Sequence, residues 1–284
     1  KKCVGLSSTD CYIVMIPITT ALLLHFRKKT KATIIASERN APTAYSKIEQ
    51  ALLRYYAKYA DAWVFQTESA KQWYSTFIKT GTVIPNAINP EFIRPEYVGQ
   101  KEKSIVAAGR LSAQKNFKLL LDAFSKVTFK HPEYRLKIFG KGPLEKGLHS
   151  YAAEKGVLDK TDFMGYVSDM PTQLEKASLF VLSSSFEGMP NVLMEAMAVG
   201  LPCVATDCPA GGPAFLIKNG ENGVLIPMND KDKMATAINT ILSDHKYAET
   251  LGKNARNIAI ELSPEYIYTK WEEYINKIRQ GATR

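Results

Sequence analysis

The sequence predicts an α/β protein of two Rossmann-like domains with parallel sheets, the N-terminal one incomplete. Three observations predict it. Short apolar runs alternate with helix-period segments at intervals of ~20 to 30 residues, the signature of βαβ units. Pro85, Asn86, Pro90 and Pro95 interrupt that alternation once, as a connection between two units does. The 284 residues, 45% of them hydrophobic, are enough for about two domains at ~150 residues each, with a core in both.

The first unit opens on an apolar run over residues 11–24, followed by Arg27, Lys28, Lys29 and Lys31. Fourteen helical residues would reach ~21 Å, short of a ~30 Å hydrocarbon core, and Pro17, Thr19 and Thr20 interrupt the run. A strand over 11–16 running into a helix is therefore expected, not a membrane span. Further strands are expected at 32–36, 62–66 and 83–84, and helices near 44–59 and 69–78. This unit covers residues 1–88. It is short for a doubly wound domain and begins on Lys1, so the first part of the domain is expected to be missing from the sequence.

The second unit, residues 99–262, is the fuller one. Strands are expected at 104–108, 134–139, 161–164, 179–183, 202–206 and 223–226. Between them a helix over 117–129 sets Leu120, Phe124 and Val127 on one face, and another over 143–155 takes Pro143 at its first position. The chain ends in helices expected at 231–242, 246–261 and 264–277, the last capped by Ser263. Residues 264–284 are expected to pack back on the first unit.

Charge and cysteine usage narrow the function. With 37 Lys and Arg against 28 Asp and Glu the net charge is +9, and the first 100 residues hold 13 basic against 7 acidic side chains. Such a bias suits anionic partners or simply a solvated basic face. Cys3, Cys11, Cys203 and Cys208 form no Cys-x-x-Cys pair, and His25, His131, His149 and His245 are scattered, which excludes a zinc cluster and a disulfide framework. A reducing, cytoplasmic setting follows. A nucleic-acid partner is not expected, since no recognition motif or aromatic–basic interleaving accompanies the charge.

The chemistry concentrates in residues 183–208, SSSFEGMPNVLMEAMAVGLPCVATDC. A strand leads into a loop with Glu187 and Gly188, and Pro190 opens a helix that Gly200 closes. Ligands of open parallel sheets lie beyond the strands' carboxyl ends, and the helix start offers a site for phosphate. Glu187 and Glu195 would repel a phosphate but suit sugar hydroxyls, for which a carboxylate is a strong acceptor. Taken alone, either glutamate reads more readily as a helix-start acid or an exposed one, given how common acids are in first turns. A second loop, GRLSAQKN over 109–116, sets Arg110 and Lys115 at a strand's carboxyl end, where a guanidinium fork and an ammonium can share a diphosphate. A third, FGKGP over 139–143, lacks the last glycine of a dinucleotide fingerprint, and no P-loop motif occurs.

In combination, GRL…KN, FGKGP, DFMGYV over 162–167, FEGMPNVLMEA over 186–196 and GLPCVATDCPAGGPAFLIKNGENGVLIP over 200–227 resemble the family-4 glycosyltransferases, retaining enzymes of the GT-B fold and here of bacterial type. The resemblance covers residues 60–280. It implies retaining transfer of a hexosyl or N-acetylhexosaminyl group from a nucleotide-diphosphate sugar, most simply a UDP-sugar, to a glycan or lipid-linked saccharide in polysaccharide or glycolipid synthesis. It implies that Arg110 and Lys115 hold the diphosphate and stabilise the leaving group's charge, while Glu187 accepts from donor-sugar hydroxyls. Gly109, Lys141, Tyr166, Val167 and the run Gly188, Met189, Pro190, Asn191, Val192 and Leu193 would line the donor site, with Glu195 on the ribose diol. No metal or other cofactor is implied; Asp230-Lys231-Asp232, which looks like a metal-binding Asp-x-Asp, opens a surface helix and is expected to cap it.

Many members carry a histidine at the end of an N-domain strand, where this chain has Ser37-Glu38-Arg39-Asn40. Arg39 is a candidate for the acceptor side, or for a structural salt bridge. The family's N-terminal domain binds the acceptor, often at the inner face of the cell membrane, and Arg27 to Lys31 could touch anionic headgroups there. A nucleotide-sugar-binding subunit without turnover and a GT-B epimerase are the alternatives.

Overall fold

A computed structural model describes residues 11–15, 17–25, 32–40 and 45–282. The basic run Arg27 to Lys31 and Cys3 lie outside them. The chain forms two all-parallel sheets. The first unit runs β1 (Cys11–Val14), α1 (Pro17–His25), β2 (Thr33–Ser37), α2 (Lys47–Tyr56), β3 (Ala62–Phe65), α3 (Glu68–Tyr74) and β4 (Thr82–Val83), with strand order 1-2-3-4. The apolar run near the start is thus a strand followed by a nine-residue helix. No helix among the described residues is long and apolar enough to cross a membrane. Ser46 and Glu49 close a reciprocal capping box at the start of α2, which sets it at residue 47 instead of the expected 44.

The second unit runs β5 (Ser104–Ala108), α4 (Phe117–Lys130), β6 (Arg135–Phe139), α5 (Glu145–Glu154), β7 (Thr161–Gly165), α6 (Met170–Lys176), β8 (Leu179–Leu182), α7 (Asn191–Ala198), β9 (Cys203–Asp207), α8 (Gly212–Leu216) and β10 (Val224–Pro227). Then follow α9 (Lys231–Ser243), α10 (His245–Ala255), α11 (Ile258–Glu261) and α12 (Pro264–Ala282). Its strand order, β10-β9-β8-β5-β6-β7, is that of a doubly wound sheet. The chain builds outward from β5 to β7, then crosses back to start the other half at β8. β2, β3, β5 and β8 are buried along their whole length, as strands covered by helices on both faces must be.

Three expectations are corrected. Pro143 precedes α5, whose N-cap is Leu144, because the turn after β6 is tied to β5 through Leu144 N–H and the Leu111 carbonyl at 3.0 Å. Pro190 is the N-cap of α7, and Asn191 its first residue. The single helix expected over 246–261 is two, α10 and α11, broken where the Arg256 guanidinium is drawn onto the carbonyls of Val199 and Arg94 at 3.3 and 2.6 Å. Ser263 caps α12 through the Tyr266 N–H at 3.3 Å. α12 lies against the first sheet, where the Tyr274 hydroxyl donates to the Trp63 carbonyl at 3.1 Å.

Candidate active site

The second sheet changes direction between β5 and β8, and the loops that leave those two strands meet at the point where an open α/β sheet binds its ligand. After β5 the backbone turns at Gly109, φ +147°; a Cβ there would lie 2.8 Å from Lys115 Cε, so only glycine lets the lysine stem cross it. The turn after β6 is as tight, since a Cβ on Gly140, φ +127°, would lie 2.0 Å from the Gly109 carbonyl oxygen. Gly109 N–H donates to Phe139 O at 2.9 Å, and Gly140 N–H to Gly165 O at 2.7 Å. The ends of β5, β6 and β7 are therefore fixed to one another, with Lys141 exposed above them.

Lys115 and Glu187 span the switch point. Lys115 Nζ lies 2.6 Å from Glu187 Oε1, and their side chains are only 15% and 8% exposed. Ser184 Oγ donates to the same oxygen at 2.7 Å, which leaves Oε2 without a partner among the described residues. The loops carrying the pair are pinned independently: Ser183 Oγ donates to Lys115 O at 2.8 Å, Gln114 Nε2 to Phe186 O at 3.0 Å and Ser185 N–H to Gln114 O at 2.8 Å. Arg110 beside them is exposed and makes no ion pair among the described residues.

The loop after Glu187 delivers the chain to α7. No side chain caps this helix, so its positive end is open to an anion at the same crevice. Gly188, Met189, Pro190 and Leu193 are buried, Val192 packs on the core and Asn191 is exposed. Glu195 is half-buried in the second turn with no hydrogen-bond partner among the described residues, and burial raises its carboxyl above the ordinary value of 4.5. Tyr166, after β7, is 82% exposed, and Val167 packs partly on the core.

The first sheet turns its carboxyl ends to the same crevice. A Cβ on Gly188 would lie 2.8 Å from Arg39 O and 2.9 Å from Gln66 Oε1, so the loop between β8 and α7 is in contact with the segments after β2 and β3. Thr67 Oγ1 donates to Ala210 O at 2.9 Å, across the two units. Arg39 makes no salt bridge among the described residues. Its Nη1 donates to Asn86 Oδ1 at 2.8 Å, its guanidinium lies 5.3 Å from the Trp271 ring centre, and burial lowers its pKa to about 10. Its neighbour Glu38 is 3% exposed and accepts from Arg39 N–H at 2.9 Å, Asn40 N–H at 3.3 Å, the Tyr74 hydroxyl at 3.1 Å and the Tyr45 hydroxyl. Burial nonetheless pushes that carboxyl up, outweighing the donors around it.

Ser184, Gln66, Asn86 and the Glu38–Tyr45–Tyr74 cluster escape sequence reasoning. Asn86 is visible only as a turn residue between prolines, and the two tyrosines are 29 residues apart with no shared motif. Asp230 does cap α9, accepting from Lys233 N–H at 2.8 Å, while Asp232 pairs with Lys126. Among the described residues no three His, Cys, Asp or Glu side chains come together as a metal site would need.

Residues 89–258 match the family described as glycosyl transferases group 1. The chain belongs to that family. It is 33% identical over 275 residues to an exopolysaccharide phosphotransferase of Streptomyces coelicolor, covering 95% of this chain but 29% of that protein. It is 26% identical over 284 residues to a Campylobacter jejuni alpha-1,4-N-acetyl-D-galactosaminyltransferase named for a diphospho-undecaprenol-linked saccharide, covering 99% of this chain and 78% of that one. The fold is GT-B, as the resemblance implied: S. aureus TarM, in a complex containing UDP, superposes with a TM-score of 0.85 at 22% identity over 94% of this chain and 55% of that chain.

Proposed function

We propose that this group 1 glycosyl transferase moves a sugar from a nucleotide-diphosphate sugar, most simply a UDP-sugar, to a glycan or lipid-linked saccharide, with retention and without a metal. One observation carries the reading: Lys115 and Glu187 pair across the topological switch point, with Arg110 free beside them and the open end of α7 facing the same space. Lys115, Arg110 and the α7 amides take the diphosphate and stabilise it as it leaves, the role a divalent ion plays elsewhere. Glu187 Oε2 and Glu195 accept from the hydroxyls of the sugar and the ribose. Gly109, Lys141, Tyr166 and Val167 border the nucleotide, and Arg39 faces the acceptor side. The net charge of +9 and the diphospho-undecaprenol named for the Campylobacter relative support a lipid-linked acceptor at the inner membrane face.

The Streptomyces relative favours a second reading, transfer of a phosphoryl or sugar-phosphate group. The nucleotide product separates the two. Breaking the anomeric C–O bond of a UDP-sugar releases UDP, whereas breaking its P–O–P bridge with sugar-phosphate transfer releases UMP. Thermal shifts with UDP, GDP, ADP and TDP, each with and without EDTA, precede that assay. Nucleotide at ~100 times its dissociation constant stabilises by about 2.7 kcal/mol. We expect one nucleotide to raise Tm, EDTA to change nothing and UDP to be the product. UMP would overturn the glycosyl reading, an EDTA-sensitive shift the metal-free one. No shift with any nucleotide would leave a scaffolding role.

A further inference from the structure

Asn86 lies three residues beyond the short strand β4, at the start of the connection to the second sheet, and its side chain hydrogen-bonds to both units at the crevice. Its Oδ1 accepts from Arg39 Nη1 and from Gln66 Nε2, each at 2.8 Å. Its Nδ2 donates to Asn191 Oδ1 at 2.7 Å, and its backbone N–H reaches Met189 Sδ at 3.2 Å. Arg39 comes from the end of β2, Gln66 from the end of β3, and Asn191 is the first residue of α7. Since an arginine can only donate, it fixes which end of the Asn86 amide is oxygen. That in turn aims the Gln66 NH2 at Asn86 and its oxygen away.

Both partners depend on it. Among the described residues, Arg39 has Asn86 as its side-chain hydrogen-bond partner and Trp271 as its stacking platform, while its Nε is buried with no partner. Gln66 is 3% exposed, and its Oε1, likewise buried without a partner, lies where a Cβ on Gly188 would be 2.9 Å away. A half-buried guanidinium and a buried amide held from one oxygen are coupled in their placement. Among the described residues Asn86 makes no hydrogen bond to Lys115, Glu187 or Glu195.

We infer that Asn86 is a positioning residue: it couples the first turn of α7, where the diphosphate is proposed to sit, to the placement of Arg39 and Gln66 on the first unit. The inference rests on the glycosyl-transfer reading. A donor seated at α7 fixes Asn191, Asn191 fixes the Asn86 amide, and the amide sets Arg39 for the acceptor. The chain of bonds makes turnover depend on Asn86 while nucleotide binding, which belongs to α7, Arg110 and Lys115, does not.

The test compares the full chain with Asn86→Ala, Asn86→Asp, Arg39→Ala and Asn86→Ala/Arg39→Ala, reading UDP affinity and UDP release from the donor with acceptor present. Asn86→Ala strips the half-buried Arg39 and the buried Gln66 of their shared acceptor, and a loss of one such bond is about tenfold or more. We expect its kcat to fall at least tenfold with UDP affinity within threefold of wild type. Arg39→Ala in that background should cost less than it does alone. Asn86→Asp keeps the acceptor oxygen for Arg39 and Gln66 but cannot donate to Asn191, so it should hold Tm near wild type and still lose turnover. Wild-type turnover in Asn86→Asp overturns the coupling, as do a parallel loss of UDP affinity and kcat in Asn86→Ala, or independent multiplication of the two alanine effects. A wild-type chain that neither binds UDP nor releases it refutes instead the glycosyl-transfer reading on which the coupling stands.

Discussion

Lys115→Ala is the sharpest probe of the site. The substitution removes an ammonium 2.6 Å from a carboxylate whose side chain is 8% exposed, leaving Ser184 as its remaining donor. Breaking a buried pair from one side costs about 3 to 5 kcal/mol, because the other charge stays largely shielded from water. We take the lower end, about 3 kcal/mol, since Ser184 still donates to Oε1. Unfolding entropy of ~2.1 cal/mol/K per residue turns that into a Tm loss of roughly 5 °C for a chain of 284 residues. Scanning calorimetry of wild type, Lys115→Ala, Glu187→Gln and Lys115→Ala/Glu187→Gln closes the cycle. The double variant should regain part of the loss, because the amide needs no counter-charge. A single-variant Tm within 1 °C of wild type, or strict additivity around the cycle, would refute the argument that this pair bridges the two halves of the sheet. Transfer should be abolished in both single variants.

Gly140→Ala should unfold the second unit's switch region, at a cost of at least about 3 kcal/mol, because its Cβ would meet the Gly109 carbonyl at 2.0 Å on a backbone with φ +127°. Chemical denaturation measures it, and a variant as stable as wild type would contradict the tight β5–β6 contact. Glu195→Gln should raise Tm at pH 7 and converge on wild type below about pH 4.5. The carboxyl is ionised in the unfolded chain but desolvated in the folded one, so it opposes folding at neutral pH and stops doing so once both states hold the proton. The same variant should bind nucleotide more weakly, the usual exchange of stability for function. Melts at pH 7 and pH 4 decide the sign.

Most of the fold was legible because its strands are short apolar runs that recur between helix-period segments. β5 falls over the expected 104–108, and the other strands within a residue or two of expectation. α6 and α8 were not legible. α6 is seven residues with Pro171 in its first turn, and α8 is five residues following Gly211 in a stretch whose Gly, Gly and Pro read as turn. The break between α10 and α11 carries no glycine or proline, since it is made by carbonyls from Val199 and Arg94 far along the chain. The site divides the same way. Lys115 and Glu187 each lie in the loop that follows an apolar strand, so position alone marked them, although their contact spans 72 residues. Asn86 and Glu38 gain their meaning from partners on other elements, and nothing local announces a partner.

The pairing also resolves what the sequence leaves as a conflict, carboxylates beside a site built for an anion. Glu187 would not be presented to a phosphate as a bare charge: Lys115 and Ser184 occupy one oxygen and leave the other without a partner among the described residues. Lys115, for its part, is held at 15% exposure by a partner it need not release when a diphosphate arrives, because an ammonium has three donors and the pair uses one. Arg110, exposed and unpaired, adds the charge that Lys115 shares out. On the proposed function, a diphosphate would meet net positive charge while a sugar hydroxyl would meet the free carboxylate oxygen, with the Lys115–Glu187 contact across the switch point setting the distance between them. This is why the pair, and not either residue, is the unit on which the function should be tested.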